Sequence, residues 1–356
     1  MPDTRRRLLL AGAGLGSAAL GLRSLAAAGT AGHADGIASD LAPDQPFRFG
    51  FIGDTPYSRL EENALRRVID ALSEERLEFV LHVGDLKSSA ERCDDDLLSA
   101  RIGLLAQCAH PLILTPGDND WTDCGRSRSP WEPGGRLERL QWLRRHVYGE
   151  PRSLGLRPMA LGQQSPPVGG PILPAFAEAV ARPSPGLPEN LRWRVGSLQF
   201  CSLHVVGSNN APRHAPDLAR AWSLRQQANG AWLEETVELA IRQRDQGLVR
   251  GLAIAMHANM QFDAGRSDGW EQMRQLVVAA AVAFDGPVLL LHGDTHHFRA
   301  DRLLWRSHGL ANFHRVECFG SPFSSSWVQV RWNPAQAAAG TEDPPNPFQV
   351  SIHSLP

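Results

Sequence analysis

Three apolar runs that each end in Gly-Asp constrain the fold more than any other feature of this sequence. They are FRFGFIGD at 47–54, EFVLHVGD at 78–85 and PLILTPGDND at 111–120. Segments with apolar residues at helical spacing, 59–75 and 94–108, separate them. This alternation predicts βαβ units. Because the carboxyl ends of parallel strands lie at one edge of a sheet, the acidic groups are expected to meet there.

Two later apolar runs also end in residues that can bind a metal. GLAIAMHAN at 251–259 carries His257, and VLLLHGDTHHF at 288–298 carries Asp294 and His296. A single acid after a strand often only caps the following helix. Five strand ends that each carry an acid or a histidine are harder to explain by capping, so they indicate one site at the edge of an α/β sheet.

The order of these motifs resembles that of the calcineurin-like metallophosphoesterases. The family's motifs run Asp-x-His, Gly-Asp, Gly-Asn-His-Asp/Glu, a lone His and Gly-His-x-His; this chain has GDTPY, VGDLK, PGDND, MHAN and GDTH. The resemblance spans roughly 47–330. It implies a single-domain, four-layer αββα sandwich with two metal ions, bridged by the second Asp and a hydroxide that attacks phosphorus.

Matching the motifs position by position implies two sets of ligands. The first metal would take Asp54, Asp85 and His296, and the second would share Asp85 and add Asp118, His257 and Asp294. The sequence departs from the family's pattern at four positions, namely Pro56 for a ligating His, Asp118 for Asn, Asn119 for His and Asp294 for His. Two departures replace one ligand by another, whereas a decaying site should collect Ala, Gly or Ser. Asp294 is therefore interpreted as a substitute ligand.

The exchanged ligands change the charge of the expected site. Asp54, Asp85, Asp118 and Asp294 together carry −4, which two divalent ions would neutralise. Carboxylate oxygens favour Mg²⁺, Mn²⁺ or Ca²⁺, with Fe or Zn possible. The absence of excess positive charge weakens the attraction for a phosphate dianion.

Four further residues are assigned to the reaction. Lys87 is the only lysine among 36 basic residues, which suggests a point charge that Arg cannot replace. Asn119 and Lys87 are predicted to orient the phosphoryl group, with Asp120 supporting Asn119. Tyr57 follows the first Asp and is predicted to donate to a phosphoryl oxygen, with a packing role as the alternative.

The N-terminus is typical of an export signal. TRRRLLLAGAGLGSAALGLRSLAAAG has a basic start, an apolar stretch and Ala-x-Ala, and its first residues resemble a twin-arginine signal. An uncleaved membrane anchor is the alternative. We assign 1–34 to the signal and the start of a linker, 35–46 to the linker and 47–356 to the metallophosphoesterase domain.

Composition and cysteine usage fit an exported soluble protein. Removing residues 1–28 takes four Arg and one Asp from 36 basic and 38 acidic residues, which leaves 32 and 37, a net charge of −5. No nucleic-acid binding and no stable membrane insertion after signal cleavage are expected. Cys93 and Cys124 lie in polar contexts, and a disulfide between them is one possibility in an oxidising compartment.

The sequence thus predicts a periplasmic or secreted, metal-dependent phosphoesterase that hydrolyses a small-molecule phosphomonoester or phosphodiester with metal-bound hydroxide. The alternative is a noncatalytic metal- or ligand-binding protein on the same fold. The Gly- and Pro-rich stretch at 121–190 is interpreted as an insertion or lid, and 311–356 as antiparallel edge strands. Substrate and oligomeric state stay open.

Overall fold

Two β-sheets with helices on their outer faces make up this computed structural model, which describes residues 39–124, 135–165, 186–211, 216–262, 268–337 and 346–355. The strands are β1 (Phe47–Ile52), β2 (Val80–His82), β3 (Leu112–Leu114), β4 (Gly162–Gln163), β5 (Leu191–Val195), β6 (Leu198–Ser202), β7 (Gly251–Ala255), β8 (Val288–His292), β9 (Arg299–Asp301), β10 (Phe313–Glu317), β11 (Ser326–Trp332) and β12 (Phe348–Ser354). The helices are α1 (Arg59–Glu74), α2 (Asp95–Leu105), α3 (Gly135–His146), α4 (Gly207–Asn210), α5 (Pro216–Asp245), α6 (Glu271–Phe284) and α7 (Trp305–His308).

The first sheet has five strands in the order β12-β11-β1-β2-β3, and the second has seven in the order β4-β5-β6-β7-β8-β10-β9. Strands β1, β2 and β3 are parallel to one another. Strands β6, β7, β8 and β10 form the parallel centre of the second sheet. The strands that precede the predicted ligands therefore all lie in parallel parts of the sheets.

Side chains alternate between two apolar layers, as the period of a strand requires. In the second sheet, Phe200 packs toward the first sheet, with its ring 5.6 Å from that of Phe49. Its neighbour Cys201 faces the opposite way, into the cluster formed with α5 and α6. On β1, the Cα of Gly50 lies under Leu72 of α1. Helices thus cover the outer face of each sheet, and the predicted four-layer α/β sandwich is confirmed.

Polar caps begin the two helices that follow ligand-bearing loops. The Ser58 hydroxyl accepts a hydrogen bond from the Glu61 amide at the start of α1, and the Asp94 carboxylate accepts one from the Leu97 amide at the start of α2. Each cap satisfies a backbone N–H that would otherwise lack a partner. Helix α1 therefore begins five residues after Asp54, and α2 begins ten residues after Asp85.

The C-terminal strands differ from their prediction. Of the strands in 311–356, only β12 lies at a sheet edge; β11 lies between β12 and β1, and β10 lies between β8 and β9. Strand β10 is also parallel to β8. The predicted edge position was therefore wrong for β10 and β11, and the antiparallel pairing was wrong for the contact of β10 with β8, because the pattern within one short run does not report which strands lie beside it.

The segment interpreted as an insertion is described only in part, and the segment predicted to be an export signal is not described. Helix α3 of the 121–190 segment packs Leu140 and Leu143 into the core between the layers. Residues 125–134 and 166–185, on which the lid interpretation depends, lie outside the described residues, as does the signal. Among the described residues, no helix combines the length and the apolar character that a membrane crossing requires.

Candidate metal centre

The candidate site is built from loops that leave the carboxyl ends of strands in both sheets. Asp54 and Asp85 follow β1 and β2, and Asp294 and His296 follow β8. All four adopt a left-handed backbone, with φ of 52°, 61°, 79° and 63°. Such values are uncommon for residues other than glycine and cluster at functional sites, where the surrounding fold holds them in place.

Two overlapping groups of side chains bring their ligand atoms within 4.8 Å of one another, and both include His257. Asp54 and Asp85 complete the first group, and Asp118 and Asp294 complete the second. Five of the six predicted metal ligands therefore meet at one point. The sixth, His296, lies beside the first group, with Nε2 3.6 Å from Oδ1 of Asp54.

His257 occupies the centre of this cluster. Its Nε2 lies 2.9 Å from Oδ1 of Asp118, 3.5 Å from Oδ1 of Asp85 and 3.8 Å from Oδ1 of Asp294. Its Nδ1 lies 2.8 Å from the carbonyl oxygen of Val83 and donates to it. This carbonyl fixes the ring and leaves Nε2 to face the carboxylates, an arrangement common for histidines that bind metals.

His296 shows the same arrangement. Its Nδ1 donates to the carbonyl oxygen of Ser321 over 2.7 Å, and its Nε2 faces Asp54 and the Tyr57 hydroxyl, 3.2 Å away. The ring is more accessible than that of His257, with 27% of the side chain exposed. His296 is therefore oriented as a ligand on the open side of the site.

The buried acids repel one another when no cation is bound. Burial and the charge of Asp294 raise the pKa of Asp54 to about 7. Burial and the charge of Asp118 raise the pKa of Asp294 to about 6, and burial also raises the pKa of Asp85. Against the effect of burial, the surrounding carboxylates raise the pKa of His257 well above its ordinary value. The protonated imidazole then supplies the positive charge that the cluster needs.

Two glycines make room for these carboxylates. A Cβ atom on Gly293 would collide with Oδ2 of Asp54, and one on Gly207 would collide with Oδ1 of Asp294. Gly207 would also come within 2.8 Å of Oδ1 of Asp118. Any other residue at these positions would displace a ligand.

Tyr57 and Asn119 both bind the carboxylate of Asp85. The Tyr57 hydroxyl donates to Oδ2 over 2.6 Å, and the Asn119 amide donates to the same oxygen over 2.5 Å and to the Tyr57 oxygen over 3.1 Å. The Asn119 backbone N–H donates to Oδ1. These contacts orient Asp85, whereas the sequence assigned both residues to the phosphoryl group.

Asp120 supports the loops and not Asn119. Its carboxylate accepts hydrogen bonds from the backbone N–H groups of Asp85, Leu86 and Gly117 over 3.1, 2.7 and 2.7 Å. The loop after β3 thereby holds the loop after β2. The predicted contact with the Asn119 side chain is replaced by these three backbone contacts.

Lys87 is fully buried, and its ammonium donates to the carbonyl oxygens of Ser88 and Glu91 over 2.9 and 3.3 Å. Contact with a substrate would require it to leave these bonds. The geometry is that of a residue that braces the loop after β2. The same loop is tied to the loop after β3 by the Cys93–Cys124 disulfide, the pairing considered from the sequence.

Two contacts to the ligands were missed from the sequence. The Ser208 hydroxyl donates to Oδ2 of Asp118 over 2.6 Å, from α4, in which Ser208, Asn209 and Asn210 have left-handed backbones. The Asn259 backbone N–H donates to Oδ2 of Asp294 over 3.1 Å. Asn259 follows His257 by two residues, so its position near the site could have been inferred, whereas no sequence signal marks the backbone of α4.

This donor set fits divalent cations. Three buried carboxylates and the half-buried one of Asp294 converge with two imidazoles whose Nε2 atoms face inward. A buried set of like charges is costly unless cations compensate it. The oxygen-rich composition suits hard ions, and His257 supplies a nitrogen to both groups.

Several solved structures are similar to this chain. A dimetal phosphatase from Danio rerio is 12% identical, covers 80% of this chain and 92% of its own, and gives a TM-score of 0.45. Purple acid phosphatase PPD1 from yellow lupin (Lupinus luteus) seeds is 12% identical over 87% of this chain and 54% of its own, with a TM-score of 0.38. GAP50, the anchor in the inner membrane complex of Plasmodium, is 10% identical over 87% of this chain and 88% of its own, with a TM-score of 0.41.

No protein-family model matches the sequence, and no curated protein matches it either. At these identities and TM-scores we assign no residue a role by likeness. The roles below rest on the geometry of this chain.

Proposed function

We propose that this protein is a metal-dependent phosphoric ester hydrolase that acts on a small-molecule phosphomonoester or phosphodiester. The observation that carries the proposal is the pair of donor groups that share His257. Two divalent ions at such a site would acidify a bound water and neutralise charge on phosphoryl oxygens. The order of the sequence motifs supports the same reaction.

The residues around the centre would have separate roles in binding metal and in orienting its ligands. Asp54, Asp85, Asp118, His257, Asp294 and His296 would hold the ions. Asn119 and Tyr57 would hold Asp85 in one orientation through its two oxygens. Asp294 and His296, with 21% and 27% of their side chains exposed, lie on the side from which a small molecule would enter.

The proposal is tested by metal content and turnover in the same preparations. Protein purified without chelator is expected to contain close to two ions per chain and to hydrolyse p-nitrophenyl phosphate or its bis-ester with Mg²⁺, Mn²⁺ or Ca²⁺. Asp85→Asn should lower kcat about 100-fold or more, which corresponds to about 2.7 kcal/mol of barrier. The exposed Asp96, at the start of α2, offers a matched control, and Asp96→Asn should leave turnover unchanged. Equal rates in both variants would contradict the proposal.

The alternative of a noncatalytic metal- or ligand-binding protein has a specific observation in its favour. Pro56 offers no ligand atom, and the Asn119 amide is engaged with Asp85 and Tyr57. The variant Asn119→His separates the two functions. A gain in turnover would show that the native site lacks a proton donor, and a loss would show that Asn119 serves the reaction.

We further propose that the chain is exported to the periplasm or secreted. The motif Thr4-Arg5-Arg6-Arg7-Leu8 and the Cys93–Cys124 disulfide support this, since disulfides persist in oxidising compartments. Replacement of Arg5 and Arg6 by Lys should retain the protein inside the cell. Cell fractionation and the mass of the mature chain measure this directly.

A further inference from the structure

Arg225, in the first half of α5, is buried and has no carboxylate partner in the part of the chain that the structure describes. Only 3% of it is exposed, and its Nη2 donates to the carbonyl oxygen of Asn210 over 2.6 Å. Its Nε and Nη1 atoms have no hydrogen-bond partner among the described residues. Nε carries one hydrogen and Nη1 two, so three of the five guanidinium N–H groups lack an acceptor. Buried charges of this kind are normally paired.

Glu189, the acid whose charge acts on Arg225, does not fill this role. Glu189 is fully buried, but its oxygens are bound by Arg144 over 2.7 and 3.0 Å and by Nδ1 of His204 over 2.8 Å. Burial lowers the pKa of His204 to about 4, so its ring is neutral. Glu189 and Arg144 therefore neutralise each other, and the positive charge of Arg225 remains.

Two further buried donors lie beside Arg225, and neither has an acceptor within the described ranges. The Trp121 ring centre is 5.3 Å from its guanidinium carbon, and Nε1 of Trp121 is buried with no acceptor. The amide nitrogen of Gln226 is also buried with no acceptor, while its oxygen accepts from the Asn210 side chain. All three residues offer hydrogen-bond donors, which is the chemistry of an anion site.

This cluster adjoins the metal centre. Trp121 follows the Asp118-Asn119-Asp120 group directly. Asn210, which binds Arg225 and Gln226, belongs to α4, whose Ser208 donates to Asp118. The donors thus lie one loop away from a proposed metal ligand.

We infer that Arg225, with Trp121 and Gln226, forms a second binding site, for an oxyanion group such as a carboxylate or a phosphate. The site does not depend on the proposed hydrolytic function. The oxyanion is either a free ion or a second charged group of the substrate bound at the metal centre.

Sulfate is the probe for the binding test, on the full chain kept in chelator so that no metal holds the ion. At constant ionic strength, sulfate should raise the Tm of the wild type in a saturable manner. Arg225→Met should remove the response and leave the Tm without sulfate no lower than that of the wild type. Arg101 is the matched control, since it is fully buried but bound to Glu62 and Glu91. Arg101→Met should lower the Tm and keep the sulfate response.

Trp121→Phe is a milder variant that keeps the ring and removes only the Nε1–H group. It should weaken sulfate binding several-fold even if Arg225→Met does not fold. Absence of a saturable response in the wild type would overturn the inference and leave buried water as the only partner of these donors. A response equal in wild type and Arg225→Met would also overturn it.

The two sources of the oxyanion are distinguished with metal-loaded protein and a pair of substrates, phenyl phosphate and 4-carboxyphenyl phosphate. If the group belongs to the substrate, sulfate should compete only with the carboxylated compound, and Arg225→Met should raise KM for that compound alone. If the ion is free, sulfate should compete with neither. Absence of hydrolysis would contradict the proposed function and leave the sulfate test intact.

Discussion

The Tyr57 hydroxyl and the Asp85 carboxylate are joined by a 2.6 Å hydrogen bond across the carboxyl ends of β1 and β2. In the family that the sequence resembles, a ligating His occupies the position just before Tyr57. The Tyr57 hydroxyl contacts Asp85, the acid that the resemblance implies as the shared ligand. Pro56 removes the ligating His, and the next residue, Tyr57, orients the proposed ligand Asp85.

Tyr57→Phe tests this contact. The variant should keep its metal content, because no ligand is removed, and should lose about tenfold in kcat, since one hydrogen bond to Asp85 is worth about 1 to 1.5 kcal/mol. Metal analysis and steady-state kinetics on one preparation give both values. Loss of an ion from Tyr57→Phe would instead make the phenol itself a ligand.

Asp294 is expected to be a working ligand. Asp294→Ala should lower the metal content from about two ions to about one, because it removes a carboxylate from the group with Asp118 and His257. Asp294→His should restore the second ion, since the imidazole is also a ligand. Two ions in Asp294→Ala would place this residue outside the metal shell.

Gly207→Ala should disrupt the same group without removing any ligand. The added Cβ would collide with Asp294 and approach Asp118, so metal affinity should fall at least about tenfold, as for residues that support ligands. Gly103 in α2 is the matched control, since a Cβ there meets no described residue within 4 Å. Gly103→Ala should keep full affinity and gain about 0.5 to 1 kcal/mol of stability.

The metal-free chain should lose stability as the pH rises from 5 to 8. Burial and neighbouring acids raise the pKa of Asp54 to about 7 and of Asp294 to about 6, above the ordinary value of 3.8. The folded state therefore binds more protons, and the stabilisation is complete below 3.8 and is lost as the pH passes through 6 and 7. Thermal unfolding in chelator across this range measures the effect. Saturating metal should abolish it, and a Tm that rises with pH in chelator would contradict the geometry.

Removing the Cys93–Cys124 disulfide should cost about 3 to 4 kcal/mol, as expected for a loop of 31 residues. It should also weaken metal binding, because the bridge ties the loops that carry Asp85 and Asp118. Denaturant unfolding and metal titration of Cys93→Ala/Cys124→Ala give both numbers. Cys108→Ala, at a buried free thiol, is the control for loss of a cysteine. Unchanged metal affinity in the double variant would show that the Asp120 contacts alone hold the loops.

The parts of the site that could be predicted are those that depend on short patterns of neighbouring residues. An apolar run followed by Gly-Asp reports a buried strand and the acid at its end, so Asp54 and Asp85 were placed correctly beside each other. The lone His257 was found in the same way. These signals depend only on residues adjacent in the chain.

The parts that could not be predicted depend on contacts between distant residues. Lys87 is rare in composition, but rarity does not report burial, and its ammonium is bound by carbonyl groups of its own loop. Ser208 reaches Asp118 only because three consecutive residues adopt left-handed backbones. Arg225 sits in a long helix, where nothing in the local sequence distinguishes it from the exposed arginines around it.

Each of the two donor groups takes ligands from both sheets. Asp54, Asp85 and Asp118 follow strands of the five-stranded sheet, whereas His257 and Asp294 follow strands of the seven-stranded one. A chain in which only one sheet has formed thus has no complete group, and its affinity for metal should be that of scattered carboxylates. Metal added during refolding should therefore not change the rate at which either sheet forms. It should only slow the separation of the two sheets during unfolding. Bound metal would report that the two halves of the molecule have docked.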